Sequence, residues 1–192
     1  MPRTPLRYRI IDGFTGPFTI IEDVSGNLTT GWLADRSADL DGARLDPNMS
    51  HGLANRLSAY FAGDDVDFSD VPLPVGREFH RQCWAACRRI PRGETRSYAD
   101  LAELAGGSRG AARAAGQAMR HNPVPIIVPC HRVVAASGGL HGFSGSRDAD
   151  GPQLAIKRGL LDHERAHAAP PLPFIETDVR TTAWPVEHAA RG

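Results

Sequence analysis

Residues 63–76 divide the chain into two stretches with different sequence patterns, and that division limits the folds open to it. The segment is acidic and contains Pro72 and Pro74, which suits a linker. Before it, Tyr8-Arg9-Ile10-Ile11, Phe18-Thr19-Ile20-Ile21 and Leu28 to Leu33 are short β-prone runs. Gly16-Pro17 and Ser25-Gly26-Asn27 are the turn signals between them. Ser50 is placed to cap a helix with Leu53, Leu57, Tyr60 and Phe61 on one face, and Gly63 would stop it. The expected organisation is a β-rich subdomain with one helix and the acidic linker over residues 1–75. A mainly helical domain follows over 76–165, and residues 166–192, rich in Ala, Pro and His, form a tail. The fold class is α/β of the α+β kind, and 192 residues suffice for one domain or two small ones.

Beyond residue 76, Phe79, Cys83, Ala86, Cys87 and Ile90 recur at helical spacing and mark a core-facing stripe, ended by Pro91-Arg92-Gly93. Ser97-Tyr98-Ala99-Asp100 has the capping-box pattern and opens a short helix to Ala105. Gly106-Gly107 turns the chain, and Ser108 is placed to cap a second helix to about Arg120. Two helices joined by a tight glycine turn outline a helix-turn-helix, an outline shared with helical hairpins that never meet DNA. Pro123 and Pro125 break the helix, and the buried run Ile126-Ile127-Val128 leads to Pro129-Cys130-His131-Arg132. After a Gly/Ser-rich loop, Pro152 suits the first turn of a last helix carrying Leu154, Ile156, Leu160 and Leu161.

The chemistry centres on Cys130. An adjacent imidazole, His131, can help remove a thiol proton, and the thiolate is the reactive form. Glu164 lies three and four residues after Leu161 and Leu160, beside the buried face of the last helix, where a carboxylate could orient the His131 ring. Spacing alone also fits a structural Cys-His pair with a solvated glutamate. Cys83 and Cys87 sit four apart on the apolar stripe and read as buried cysteines, and His80 with them makes an incomplete metal-ligand set. Arg113 stands among Ala111, Ala112, Ala114, Ala115 and Gly116. Such a helix could pack closely on its neighbours, or it could press one long cation into a DNA groove, and the sequence leaves both open.

Charge and compartment narrow the classes. Residues 1–76 carry six Arg against eleven Asp or Glu, a balance of −5, while residues 77–120 carry nine Arg against four acids, a balance of +5. A basic centre can attract a phosphate backbone, although a solvated arginine surface would look the same. Three cysteines in a chain of this length argue against a disulfide scaffold. With no bilayer-length apolar run and no apolar signal core after Met1-Pro2-Arg3-Thr4-Pro5, a cytoplasmic protein without membrane contact is expected.

At this point the residues resemble a family. Ile127-Val128-Pro129-Cys130-His131-Arg132-Val133-Val134 resembles the active-site signature of the O6-alkylguanine-DNA alkyltransferases, or methylated-DNA–protein-cysteine methyltransferases. Ile90-Pro91-Arg92-Gly93-Glu94-Thr95-Arg96-Ser97-Tyr98 resembles the approach to that family's helix-turn-helix, and Ala111-Ala112-Arg113-Ala114 its recognition helix. Asn122-Pro123-Val124-Pro125 resembles the segment before the cysteine. Gly139 to Ser144, then Lys157, Leu160, Leu161 and Glu164, resemble its closing loop and last helix. The likeness is strong over about 76–165 and looser over 8–62.

The resemblance implies repair of O6-alkylguanine, with O4-alkylthymine a further possible substrate, by one irreversible transfer to Cys130. His131 would deprotonate the thiol through a bound water, Glu164 would orient His131, and Asn122 would brace the turn. Tyr98 would help rotate the nucleotide out and donate to guanine N3, and Arg113 would fill the gap. Ala111, Ala112, Ala114 and Gly116 would allow close approach in the minor groove. Ser144 and the backbone around Val133 would hold the guanine edge, with Phe143 as an apolar wall where some relatives have Tyr. A monomer acting on double-stranded DNA without cofactor is implied. No zinc is expected, since no Cys precedes Cys83. An insertion at about Arg147 to Gln153 falls in the loop that should wall the pocket. The alternatives are a non-catalytic sensor of alkylated DNA on the same fold, against which Cys130 argues, a small-molecule hydrolase and a plain DNA-binding regulator.

Overall fold

Two β-prone runs fold back on each other around a two-residue turn, and the rest of the N-terminal half is built on that hairpin. Strands β1 (Arg7–Gly13) and β2 (Gly16–Glu22) pair antiparallel from Arg7↔Glu22 to Gly13↔Gly16. The turn is therefore Phe14-Thr15, not the expected Gly16-Pro17. Gly16 takes φ +122°, open to glycine, and Pro17, the second residue of β2, lies one residue beyond the end of its pairing with β3 (Leu28–Trp32), which begins at Phe18↔Trp32. Across β4 (Arg44–Leu45) the sheet order is β3-β2-β1-β4, and the short helix α1 (Leu33–Arg36) follows β3. The computed structural model describes residues 6–140 and 151–168. Phe143, Ser144 and residues 147–150 of the insertion lie outside the described residues, as does the tail beyond 168.

Helix α2 (His51–Ala62) buries Leu53, Ala54, Leu57, Tyr60 and Phe61, the face that the spacing predicts. Phe61 meets Phe18 edge-on at 5.2 Å, and Phe18 meets Trp32 at 5.1 Å, so the helix covers the sheet with aromatic contacts. Gly63 ends the helix at φ +109° as expected. Ser50, however, does not cap it. Its backbone is left-handed, at φ +46°, and its hydroxyl donates to Glu22 Oε2 at 3.1 Å instead. The acidic segment is strapped down: Phe68 and Val71 are buried, and Arg88 donates to the carbonyls of Val71 and Ser69. Helix α3 (Glu78–Arg88) then buries Cys83, Trp84, Ala86 and Cys87.

The short strand β5 (Arg96–Ser97) leads into α4 (Tyr98–Leu104), and the capping box forms: Ser97 Oγ accepts from Asp100 N, and Asp100 Oδ2 from Ser97 N, both at 3.1 Å. Gly106, at φ +83°, turns the chain. Ser108 offers no side-chain cap, and a 3-10 turn at Arg109–Ala111 opens α5 (Ala112–Arg120). Ala115, Ala118 and Met119 bury the inner side of α5, where Trp84 Nε1 donates to the Ala118 carbonyl at 2.9 Å. The run Ile126-Ile127-Val128 is buried as expected, and it turns, with Ile126 at φ +75°. A 3-10 turn at Cys130–Arg132 joins β6 (Val133–Val134), which pairs parallel with β5. Helix α6 (Pro152–Ala166) starts at Pro152 as expected and buries Leu154, Lys157, Leu160, Leu161 and Glu164. Thr30 of β3 binds the segment before the cysteine twice, its N–H to the Pro123 carbonyl at 2.9 Å and its hydroxyl to the Pro125 carbonyl at 3.0 Å. The sheet thereby fixes the loop that carries Cys130.

Candidate active site and DNA-facing surface

Asn122 and Pro129 set the position of Cys130. Asn122 is buried; its Nδ2 donates to the Val128 carbonyl at 2.8 Å and its Oδ1 accepts from Val124 N at 3.1 Å, so one side chain closes the loop from both sides. Pro129, at φ −80° and ψ 63°, has the inverse γ-turn conformation, and the Cys130 N–H meets the Val128 carbonyl at 2.8 Å. The thiol is buried, which pushes its pKa up; Asn122, the Lys157 charge and the N–H groups of Cys130 and His131 pull the other way without overcoming it. Left alone, Cys130 is a thiol at neutral pH and needs a base.

His131, next in the chain, is placed to supply one. It is buried, and its Nε2 lies 2.8 Å from Glu164 Oε1. Burial lowers its pKa, as do the Arg132 and Lys157 charges, against the raising effect of Glu164. The contact is therefore a hydrogen bond from a neutral imidazole rather than an ion pair. Since a carboxylate only accepts, Nε2 carries the proton and Nδ1 presents a lone pair. Nδ1 is buried without a hydrogen-bond partner among the described residues.

Glu164 is held from every side. Oε1 accepts from His131 Nε2, from the Tyr60 hydroxyl at 2.8 Å and from Arg132 Nη2 at 2.8 Å. Oε2 accepts from Arg132 Nε at 2.9 Å and from Gly93 N at 3.3 Å. Burial by itself would raise the Glu164 pKa, but the hydrogen bonds from His131 and Arg132, with the Arg132 charge, hold it below the usual carboxylate range. Arg132 is itself fixed through Nη1 on the Ile90 carbonyl at 2.6 Å.

On the other side of the cysteine, Lys157 is buried and donates from Nζ to the Val133 carbonyl at 2.7 Å, with the Tyr98 ring 5.9 Å away. Tyr98 is half-buried, and burial, followed by the charges of Cys130 and Cys87, pushes its phenol up to about 12, so it stays a donor. A Cβ on Gly116 would stand 3.8 Å from that ring, so α5 lies directly against Tyr98. Arg113 and Ala114 point to solvent, while Ala111, Ala112 and Gly116 are partly covered. The packing reading holds for Ala115 and Ala118, which face inward, while Arg113 is exposed and makes no ion pair among the described residues. Much of the central positive charge is used internally, since Arg109 pairs with Asp100 and Glu103, and Arg96 with Glu94, each at 2.8 Å.

The structure brings Cys130, His131, Glu164 and Asn122 together, with Tyr98 and Val133 beside them. Three further residues stand at the site to which the sequence reading assigns no role. Arg132 shares the Pro-Cys-His-Arg run. Lys157 lies seven residues before Glu164 on the apolar stripe of α6, and two charges on such a stripe are a readable signal. Tyr60 gave none, because a tyrosine on a core-facing helix is ordinary. Among the described residues, no group of three or more His, Cys, Asp or Glu could hold a metal ion, and no helix is long and apolar enough to cross a membrane.

Comparison with known proteins points the same way. The family model described as 6-O-methylguanine DNA methyltransferase, DNA binding domain, matches residues 78–166. The methylated-DNA–protein-cysteine methyltransferase of Mycobacterium tuberculosis is 39% identical over 174 residues, covering 89% of this chain and 99% of that protein. The constitutive methylated-DNA–protein-cysteine methyltransferase of Bacillus subtilis is 44% identical over 119 residues, 62% of this chain and 67% of its own length. A crystal structure of the Mycobacterium tuberculosis OGT protein in complex with DNA aligns with a TM-score of 0.70 at 41% identity, over 86% of this chain and 96% of that one.

Proposed function

The chain belongs to the methylated-DNA–protein-cysteine methyltransferase family, and from that premise we propose that it repairs O6-alkylguanine in double-stranded DNA by moving the alkyl group onto Cys130. It is a DNA-repair methyltransferase with DNA as its partner. The observation that carries the assignment of the acceptor is the buried sequence Cys130–His131–Glu164, with His131 Nε2 fixed on the carboxylate and Nδ1 unengaged among the described residues.

A base inside a duplex cannot reach a buried thiol, so the nucleotide must be turned out of the stack. Helix α5 enters the minor groove through Ala111, Ala112, Ala114 and Gly116, and Arg113 takes the place of the extruded base. Tyr98, kept protonated, supports the rotation and donates to guanine N3. The Val133 backbone holds the guanine edge, with Ser144 and Phe143 completing the pocket. Cys130 loses its proton through a water to His131 Nδ1, and Glu164 stabilises the imidazolium that forms. The thiolate attacks the alkyl carbon in line, a C–S bond forms, and the C–O6 bond breaks with its electron pair on guanine. The proton that left the thiol ends on the restored guanine. The thioether is not hydrolysed, so each chain acts once. No cofactor enters. We place the protein in the cytoplasm as a monomer, with residues 76–165 as the catalytic and DNA-binding domain and 1–75 as its sheet-bearing companion.

The test is a titration of O6-methylguanine duplex against fixed protein. Repair should stop at one lesion per chain however long the incubation. Continued turnover would overturn the acceptor role, and lesion-selective binding without repair would favour the sensor.

A further inference from the structure

Tyr60 belongs to α2 in the N-terminal half, yet its hydroxyl donates to Glu164 Oε1, a residue 104 positions away, at 2.8 Å. The same oxygen holds His131 Nε2, and the Tyr60 oxygen lies 3.5 Å from that nitrogen. The tyrosine is 2% exposed and fixed on three sides. Its ring meets Phe61 at 5.6 Å and His163 at 5.9 Å, and the Arg92 guanidinium stands 5.4 Å from the ring centre. Its carbonyl faces His163 Nε2 at 3.0 Å. Packing alone would be served as well by phenylalanine. The hydroxyl adds a donor aimed at the one oxygen on which the His131 tautomer depends.

We propose that Tyr60 is a positioning residue of the transfer reaction, through which the N-terminal sheet-and-helix unit holds the Glu164–His131 pair in its working geometry. This rests on the reading of Cys130 as acceptor and His131 as its base. The Tyr60 proton draws part of the Glu164 charge, so that Oε1 orients the imidazole without binding its protonated form too tightly. Burial and the neighbouring Glu164 keep the phenol protonated, so it serves as a donor throughout the working range. The other titratable or charged groups around the pair are Arg92 and His163 against the Tyr60 ring, Arg132 on Glu164, and Lys157 and Cys130 beyond His131. None of them takes the place of the lost hydroxyl, because Arg132 is already engaged with both carboxylate oxygens and Ile90.

The experiment compares Tyr60→Phe with the unsubstituted protein in reaction with free O6-benzylguanine, which isolates chemistry from DNA binding. Rates are measured from pH 5 to pH 9 and normalised to the fraction of chains able to accept one alkyl group. Removing the hydroxyl should leave more of the Glu164 charge to His131. The acid limb should then move up by roughly half a pH unit, and the plateau rate should fall about three- to ten-fold as the ring loses its fixed partner. Phe61→Leu, which loosens the same helix without touching Glu164, should leave the acid limb in place. An unchanged profile in Tyr60→Phe, or an equal displacement in Phe61→Leu, would overturn the proposal. If the unsubstituted protein gains no alkyl group on Cys130, the underlying reading fails first, and this inference with it.

Discussion

Glu164 and Arg113 are both charged, and the molecule treats them in opposite ways. Glu164 is fully buried, and each of its oxygens is already bonded to protein donors. Arg113 stands on the outer face of α5, exposed, with no ion pair among the described residues. On the function proposed above, the difference separates two tasks. Generating a thiolate from a buried cysteine needs a base whose tautomer and orientation are set beforehand, since reorganisation during the reaction would cost rate. Reading or wedging DNA needs a long side chain whose place is settled by the partner. The first task bonds both oxygens of the carboxylate to protein donors, and the second leaves the charge unpaired.

That contrast can be broken by experiment. Glu164→Gln should have the largest effect, a loss on the order of a hundredfold in alkylation of both duplex and free O6-benzylguanine. The sign of its pH dependence follows from the surroundings of His131. Its pKa is already below the ordinary value, so in the unsubstituted protein the acid limb lies below pH 6.5. Without the Glu164 charge, burial, Arg132 and Lys157 all lower it, and the limb should move further to the acid side. A limb moving upward would show that Glu164 does not act through His131. Arg113→Ala should come next, slowing duplex repair by about ten- to a hundredfold, the worth of a charged contact. The reaction with the free base should be untouched, and equal losses on both substrates would remove Arg113 from the flipping step. Gly116→Ala should be mildest. A Cβ there makes ordinary contact with Tyr98, and helix propensity should raise stability by about 0.5–1 kcal/mol in urea unfolding. A drop in duplex repair with the free-base rate kept would add that the groove tolerates no methyl at this position.

The contrast also marks what the sequence could reveal. Local patterns translated directly: the Ser97 capping box formed, Gly63 stopped α2, and Pro152 opened α6. Glu164 was legible because a carboxylate beside the leucines of an amphipathic helix lies at the edge of a buried face. Errors arose where tertiary contacts overrode a local signal. Ser50 exchanged its capping role for Glu22, and Gly16-Pro17 was drawn into β2 once the hairpin closed one residue pair earlier. The Ile126-Ile127-Val128 run is buried as expected, while the turn it makes depends on Asn122 and Thr30. Tyr60 was invisible in its role, because its partner lies 104 residues away and its helix pattern is satisfied by core packing alone. The surroundings of Arg113 could not be resolved from sequence, since alanines that pack inward and alanines that face solvent are the same residues until the helix is placed.

The central claim is that Cys130 is the acceptor and the only one. It is tested most directly by intact-mass analysis after mixing the protein with a duplex bearing a single O6-methylguanine, followed by peptide mapping, with Cys130→Ser alongside. One methyl group per chain, located on Cys130 and missing from the serine variant, is the predicted result. A methyl group on Cys83 or Cys87, or an unmodified protein in the presence of restored guanine, would contradict it.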